Sequence, residues 1–202
     1  SETLIDSALE DKKQAKIFAK AILHNAERLT DMVSSLLDLS RIEYGELKLN
    51  FEEIDLNAFF ENFIESIINL SKKKDIDINY LPNHKGSVNA DFQAIERIMN
   101  NLIDNAIKYS EEGSEIKIST SNDGDDYIRV TVEDTGEGIS PEDQDHIFSR
   151  FFRTASARAT DNQGSGLGLA IVKHLVNNLN GEVGIESKPQ KGSIFWFTIP
   201  IF

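Results

Sequence analysis

The sequence predicts an α+β fold: a two-layer α/β sandwich with helices on one face of a mixed sheet, preceded by one long coiled-coil or four-helix-bundle helix. Three observations carry this. Apolar residues recur at heptad spacing through an unbroken stretch near the N-terminus. Beyond it, short alternating segments interleave with amphipathic helical ones. No period repeats along the 202 residues.

The elements follow in order. No proline or glycine interrupts residues 12 to 43. Phe18, Ile22, Asn25, Leu29, Met32, Leu36 and Leu39 are spaced alternately by four and three, a heptad seam that Val33 and Leu37 widen toward a bundle face. A helix this long has no core of its own, so a partner helix is implied. Asn25 either sets the register of that seam or lies at its edge. SETLIDSAL is apolar enough to be the tail of an antiparallel mate, and Tyr44-Gly45 ends the long helix with glycine as the cap. ELKLNFEEI alternates as a strand, LNAFFENFIESIINLSKKK is an amphipathic helix, and DIDINYL is a second strand. Pro82 to Gly86 reads as a turn. SVNAD is a short strand that leads into a helix over FQAIERIMNNLIDNAIKYS. EIKISTS and DYIRVTVED form a hairpin across Asn-Asp-Gly-Asp. Residues 136 to 164 are irregular and polar apart from a short helical piece, PEDQDHIFSRFF. A glycine-opened helix then runs to Asn180-Gly181, and EVGIESK with GSIFWFTIP closes the chain as a second hairpin. The expected organisation is a helical segment over 1–44 and a sandwich domain over 45–202.

Composition narrows the function. The formal net charge of −13 leaves no basic stripe for nucleic acid. An anionic ligand must therefore be met by a few local cations or by backbone N–H groups. There is no cysteine, so disulfides, thiolate metal sites and cysteine nucleophiles are excluded. The longest apolar run, SIFWFTIPIF, is too short to span a bilayer.

Chemistry concentrates in three places. On the helix after SVNAD, Ile95, Ile98, Met99, Leu102, Ile103 and Ala106 share one face, and Asn101, Asn105 and Lys108 form a stripe opposite it. That stripe is a solvated face or a ligand site. An asparagine oxygen suits Mg²⁺, and Lys108 one turn on suits a phosphate. VEDTGEGI ends a strand at Asp134 and continues through Gly136 and Gly138. It is a plain turn, or an acceptor for an exocyclic amine beside glycines that admit a ring. GSGLGL places Gly164, Gly166 and Gly168 at the first turn of a helix, where unpaired N–H groups favour an anion. Alone it reads equally well as a hinge. It is neither a Walker A loop nor a dinucleotide fingerprint.

Taken together, these segments resemble the histidine protein kinases of the GHKL ATPase superfamily. NLIDNAIKYS resembles the N box, DTGEGI the G1 box, IFSRFFR the F box and GSGLGL the G2 box, in the family's order and spacing. AERLTDMVSSLLDLSRIE resembles the second helix of the dimerisation and phosphotransfer domain. The resemblance implies the Bergerat ATP-binding fold, with ATP and Mg²⁺ as ligands. Asn105 would carry Mg²⁺ and Asn101 would line the same site. Lys108 would contact phosphate, and Tyr109 would pack near adenine or ribose. Asp134 would read the adenine amino group, with Gly136 and Gly138 making room for the ring. Ile139 would touch the nucleotide at the start of a mobile lid over residues 139 to 163, anchored by Phe148, Phe151 and Phe152. Arg153 and Arg150 would reach the terminal phosphates. Gly164, Ser165, Gly166, Leu167 and Gly168 would line the triphosphate. RTASARATDNQ, small and polar, is expected to lack order without nucleotide.

The same resemblance implies transfer of the ATP γ-phosphoryl group to a histidine and relay to a response regulator receiver domain. It also implies a homodimer through the N-terminal helices and a cytoplasmic position, with any membrane attachment through segments outside this chain. The acceptor pattern is His-Glu/Asp-basic-Thr/Ser-Pro. None of His24, His84, His146 and His174 precedes it, so the acceptor is expected ahead of Ser1, in a helical hairpin of which 1–44 holds mostly the second helix. This chain is expected to bind ATP without labelling itself. The mechanical ATPases of the superfamily carry a general-base glutamate one turn before the Mg²⁺ asparagine. Here that position is Asn101, which cannot take a proton from water. The alternatives are an ATPase or a nucleotide-gated dimerisation module without kinase activity.

Overall fold

The computed structural model describes residues 12–43, 48–72, 74–160 and 164–202. The expected antiparallel mate in residues 1–9, the cap at Tyr44-Gly45 and lid residues 161–163 lie outside them. The chain falls into two compact units that divide after Asp38.

Helix α1 covers Lys12–Glu43. Its heptad residues Phe18, Ile22, Leu29 and Leu36 are exposed, as are Val33 and Leu37 beside them. Asn25 bonds its own helix, donating Nδ2 to the Ala21 carbonyl at 2.8 Å.

The second unit contains β1 (Glu52–Ile54), α2 (Leu56–Lys72), β2 (Asp77–Asn83), β3 (Val88–Ala90), α3 (Phe92–Tyr109), β4 (Glu115–Asp123) and β5 (Tyr127–Asp134). After them come α4 (Pro141–Gln144), α5 (Ala155–Thr160), α6 (Gly168–Asn178), β6 (Val183–Ser187) and β7 (Ser193–Pro200). Five strands form one mixed sheet in the order β2-β4-β5-β7-β6, with only the β2–β4 pair parallel. Period-two alternation sends Ile128, Val130, Val132 and Asp134 of β5 to the buried face. Phe195, Phe197 and Ile199 join them from β7, and Ile116 and Ile118 from β4. The inward row meets the buried stripe of α3 (Ile95, Ile98, Met99, Leu102, Ile103, Ala106) and that of α6 (Ile171, Val172, Leu175, Val176) in one core. Fully burying each such side chain stabilises by roughly 1.5–3 kcal/mol.

Four elements differ from expectation. β1 is only three residues long and pairs with β3 in a separate two-stranded sheet. β2 continues through Pro82 to Asn83 where a turn was expected. It is an edge strand, so the missing proline N–H breaks no ladder bond on its open side. In the lid, Ala155–Thr160 forms a short helix. The Thr154 hydroxyl accepts from Ala157 N–H at 3.0 Å as a cap, and Ala157 is buried. The expected helical piece at PEDQDHIFSRFF is confined to α4, which Ser140 caps through Asp143 N–H.

Candidate functional site: a cavity between α3, the end of β5 and the glycine loop

A cavity of about 250 Å³ opens where α3, the C-terminal end of β5 and the start of α6 converge. Helix α3 forms one wall. It begins at Asp91, whose Oδ1 caps Ala94 N–H at 2.8 Å while its Oδ2 accepts from Asn50 N–H at 2.7 Å. With its apolar stripe buried in the core, the opposite stripe of Asn101, Asn105 and Lys108 faces the cavity, followed by Tyr109.

The two asparagines differ. Asn101 donates Nδ2 to the Arg97 carbonyl at 2.8 Å. Its Oδ1 lies 2.7 Å from where a Cβ on Gly168 would sit, so it packs against the first turn of α6. Asn105 makes no side-chain hydrogen bond with the described residues, which leaves its oxygen available to a ligand. Among the described residues no group of histidine, aspartate and glutamate is arranged to hold a metal ion. A hard cation here would therefore be held by Asn105 together with ligand phosphate oxygens and water, a donor set that fits Mg²⁺.

Asp134 enters from the sheet. It is the last inward residue of β5, opposite Ser193 of β7 and Ile116 of β4, and only 6% exposed. Burial pushes its carboxyl above the ordinary aspartate value, and backbone N–H bonds from Gly136 and Ser193 only partly offset this. The Gly136 bond measures 2.8 Å.

The glycine motifs work differently from each other. A Cβ on Gly136 would strike the Tyr109 carbonyl, and one on Gly138 would strike the Lys188 carbonyl. Gly138 borders the cavity but Gly136 does not. Both were expected to make room for a ring. In the structure they also let backbones touch, Gly136 joining the end of α3 to the turn after β5. Ile139 also borders the cavity, its N–H donating to Ser187 Oγ at 2.8 Å.

At the glycine loop, Gly164, Ser165, Gly166 and Gly168 all line the cavity. Leu167, also expected there, instead buries its side chain completely in the core. As the N-cap residue of α6 it provides no side-chain cap, so the helix start keeps donors that its own sequence does not satisfy. A Cβ on Gly164 would lie 3.1 Å from Lys108 Nζ and 3.5 Å from Arg153 Cζ. Two cations thus flank the glycine loop in a protein of net charge −13. Arg153 also donates to the Ala157 carbonyl of α5.

Arg150 does not line the cavity. Its charge acts on His174 of α6, whose pKa lies below the ordinary histidine value through burial first, then Arg150 and Lys173. Arg150 and Arg153 are three apart with no regular helix between them, so the chain turns them different ways. Phe148 and Phe152 pack against the core, but Phe151, expected as a lid anchor, is 62% exposed.

Several lining residues were not singled out from sequence. Asp104 sits one turn before Lys108, and desolvation holds its carboxyl above the ordinary value despite the Lys108 charge. Its place beside Lys108 on the wheel, at the edge of the stripe away from Asn105, was the available signal. Glu137, Thr154, Ser193 and Phe195 carry no local pattern that distinguishes them.

Comparison with known proteins agrees with this geometry. Residues 90–202 match the family described as histidine kinase-, DNA gyrase B-, and HSP90-like ATPase. The chain is 38% identical over 200 residues to the sensor-like histidine kinase SenX3 of Mycobacterium tuberculosis, covering 99% of this chain and 48% of that protein. It thus spans about half the length of such relatives. The structure is similar to full-length ShkA in complex with AMPPNP, with a TM-score of 0.78, 25% identity, and coverage of 93% of this chain and 39% of that one. It is also similar to histidine kinase ThkA in complex with response regulator protein TrrA, with a TM-score of 0.71, 28% identity, and coverage of 95% and 51%.

Proposed function

This chain belongs to the histidine kinase-, DNA gyrase B-, and HSP90-like ATPases as the ATP-binding catalytic part of a sensor histidine kinase, and from that premise we propose how its residues divide the work. Asp134, buried at the end of β5, accepts a hydrogen bond from the adenine amino group. The N–H groups of the glycine loop, Lys108 and Arg153 hold the triphosphate. Asn105 supplies the protein's oxygen to Mg²⁺, which when bound neutralises charge on the phosphates. Asn101 fastens α3 to the start of α6 so that these groups stay in register. Tyr109 lines the cavity beside Lys108, whose Nζ lies 5.4 Å from the ring centre.

The reaction is phosphoryl transfer. A histidine imidazole nitrogen attacks the γ-phosphorus in line, the bond to the bridging oxygen breaks, and ADP leaves. The phosphoryl group then passes to an aspartate of a response regulator receiver domain. In support, ThkA, which this chain resembles, is known in complex with a response regulator. The chain acts as a homodimer through the exposed seam of α1. It works at the cytoplasmic side, and no helix among the described residues is long and apolar enough to cross a membrane. None of its four histidines lies in an acceptor pattern, so these 202 residues alone bind ATP without labelling themselves. Incorporation of γ-³²P into this polypeptide, stable to base and labile to acid, would refute that.

The observation that carries the reading is the convergence of Lys108 and Arg153 on Gly164 in the same cavity as Asp134. Calorimetric titration with ATP, with and without Mg²⁺, on the wild type and Asn105→Ala tests it. Wild-type affinity is expected to rise with Mg²⁺, and the variant to lose that increment. Binding indifferent to both changes overturns the assignment.

A further inference from the structure

The last turn of α3 carries Lys108 and Tyr109 into the cavity. A helix end leaves its final carbonyls without partners. Here Ser110 ends the helix in an extended conformation, φ −87° and ψ 152°, with its N–H returned to the Ala106 carbonyl. This is not the left-handed close that would satisfy the remaining carbonyls. Lys108, the one basic residue of that turn, has its Nζ beside the glycine loop instead.

The cap comes from elsewhere. Lys74, in the turn after α2, donates Nζ to the carbonyls of Ile107 at 2.8 Å, Lys108 at 3.0 Å and Ser110 at 3.4 Å. An ammonium has three donors, and three carbonyls receive it. Its charge also sits at the negative end of the helix dipole. The turn that presents it is itself tied down. Lys74 N–H bonds Ser71, Asp75 adopts φ 55°, and the Lys74 carbonyl accepts from Gly113 N–H at 3.3 Å.

We infer that Lys74 is a positioning residue for the triphosphate end of the site. It acts through the α3 terminus, setting where Lys108 projects toward the glycine loop, and touches no ligand itself. The inference rests on the ATP-binding reading and adds to it a dependence on one side chain more than thirty residues upstream. Asp134 stands on β5, which Lys74 does not contact through these bonds, and its turn meets the α3 end at the Tyr109 carbonyl against Gly136, so the adenine end is expected to depend on Lys74 far less than the triphosphate end.

The test compares ATP with AMP on the full chain, by calorimetry in Mg²⁺, for wild type, Lys74→Met and Lys74→Arg. Lys74→Met keeps the stem and removes the donors. It is expected to weaken ATP about tenfold, the scale of one charged hydrogen-bonding group, while AMP stays within about twofold. Lys74→Arg retains donors and is expected to recover most of the ATP affinity. A loss shared equally by ATP and AMP, or no loss, overturns the inference, because a merely structural role would not separate them. If Lys74→Met does not fold, Lys74→Gln is decided by the same ratio. Wild type failing to bind ATP would instead overturn the reading of the site.

Discussion

The backbone N–H of Phe151 donates to the Gly166 carbonyl at 2.9 Å, and both residues hold left-handed backbone angles, φ 59° and 70°. A non-glycine residue in that region is strained and persists only where its surroundings hold it. The bond therefore joins the aromatic segment and the glycine loop into one unit. It explains how Arg153 and Gly164, from separate stretches of chain, arrive at the same corner of the cavity.

Gly166→Ala breaks this unit. The new Cβ would lie 2.8 Å from the Phe151 carbonyl carbon and 2.9 Å from the Phe152 oxygen, at a φ that side chains avoid. A stability loss of about 1–3 kcal/mol is expected in chemical denaturation, with ATP affinity falling about tenfold or more. Gly124→Ala is the control. It shares the left-handed φ but meets nothing within 4 Å, so it should cost some stability and leave ATP affinity unchanged. Equal ATP affinities for the two variants would detach the loop contact from binding.

Asp134→Asn should trade binding for stability. The folded-state pKa of Asp134 is raised above 3.8, mainly by burial. Between 3.8 and that raised value the folded state keeps a proton the unfolded state has lost, so stability falls as pH rises through this window. Above it the folded state bears the full cost of a buried carboxylate. The asparagine variant is expected to melt about 2–4 °C higher than wild type at pH 7, with the gain vanishing below pH 3.8. ATP affinity should drop about tenfold, since a neutral amide oxygen accepts less strongly. A melting gain that is the same at both pH values would show that burial of the charge is not the cause.

The two arginines should separate cleanly. Arg153→Gln removes a cation beside Gly164 and is expected to weaken ATP about tenfold. Arg150→Gln should leave ATP within about twofold but raise the pKa of His174 toward its ordinary 6.5, because a repelling charge is gone. Proton NMR of the imidazole reads the second effect. Arg150→Gln weakening ATP as strongly as Arg153→Gln would return Arg150 to the site.

The seam of α1 should dimerise the chain. Leu29→Glu with Leu36→Glu places two charges among exposed apolar residues at heptad positions. Light scattering is expected to show a wild-type dimer and a monomeric variant, with ATP binding retained in both. Wild-type chain that scatters as a monomer at high concentration would remove the dimer.

Much of this was legible beforehand. The α3 stripe follows from spacing alone, because buried and facing positions repeat with the helix period. Asp134 being inward follows from the alternation of β5, and α1 from its uninterrupted heptads. The lid helix at Ala155–Thr160 was not legible, since a cap at Thr154 and a single buried alanine leave no periodic trace. Nor was the run of β2 through Pro82, which depends on that strand being at the edge of the sheet.

What the sequence by itself determined is therefore the inventory: most of the elements, which faces are apolar, and which polar and charged residue types stand on the remaining faces. Only the tertiary structure decided their assignments. It placed Asn101 against Gly168 and left Asn105 available. It sent Arg150 toward His174 and Arg153 toward Gly164. It used Gly136 and Gly138 for backbone contact and brought Lys74 to the end of α3. The physical reason is range. Periodicity is a property of neighbouring residues on one element and is written in the chain. Close approach between elements distant in sequence depends on how their surfaces pack, and no local spacing encodes it.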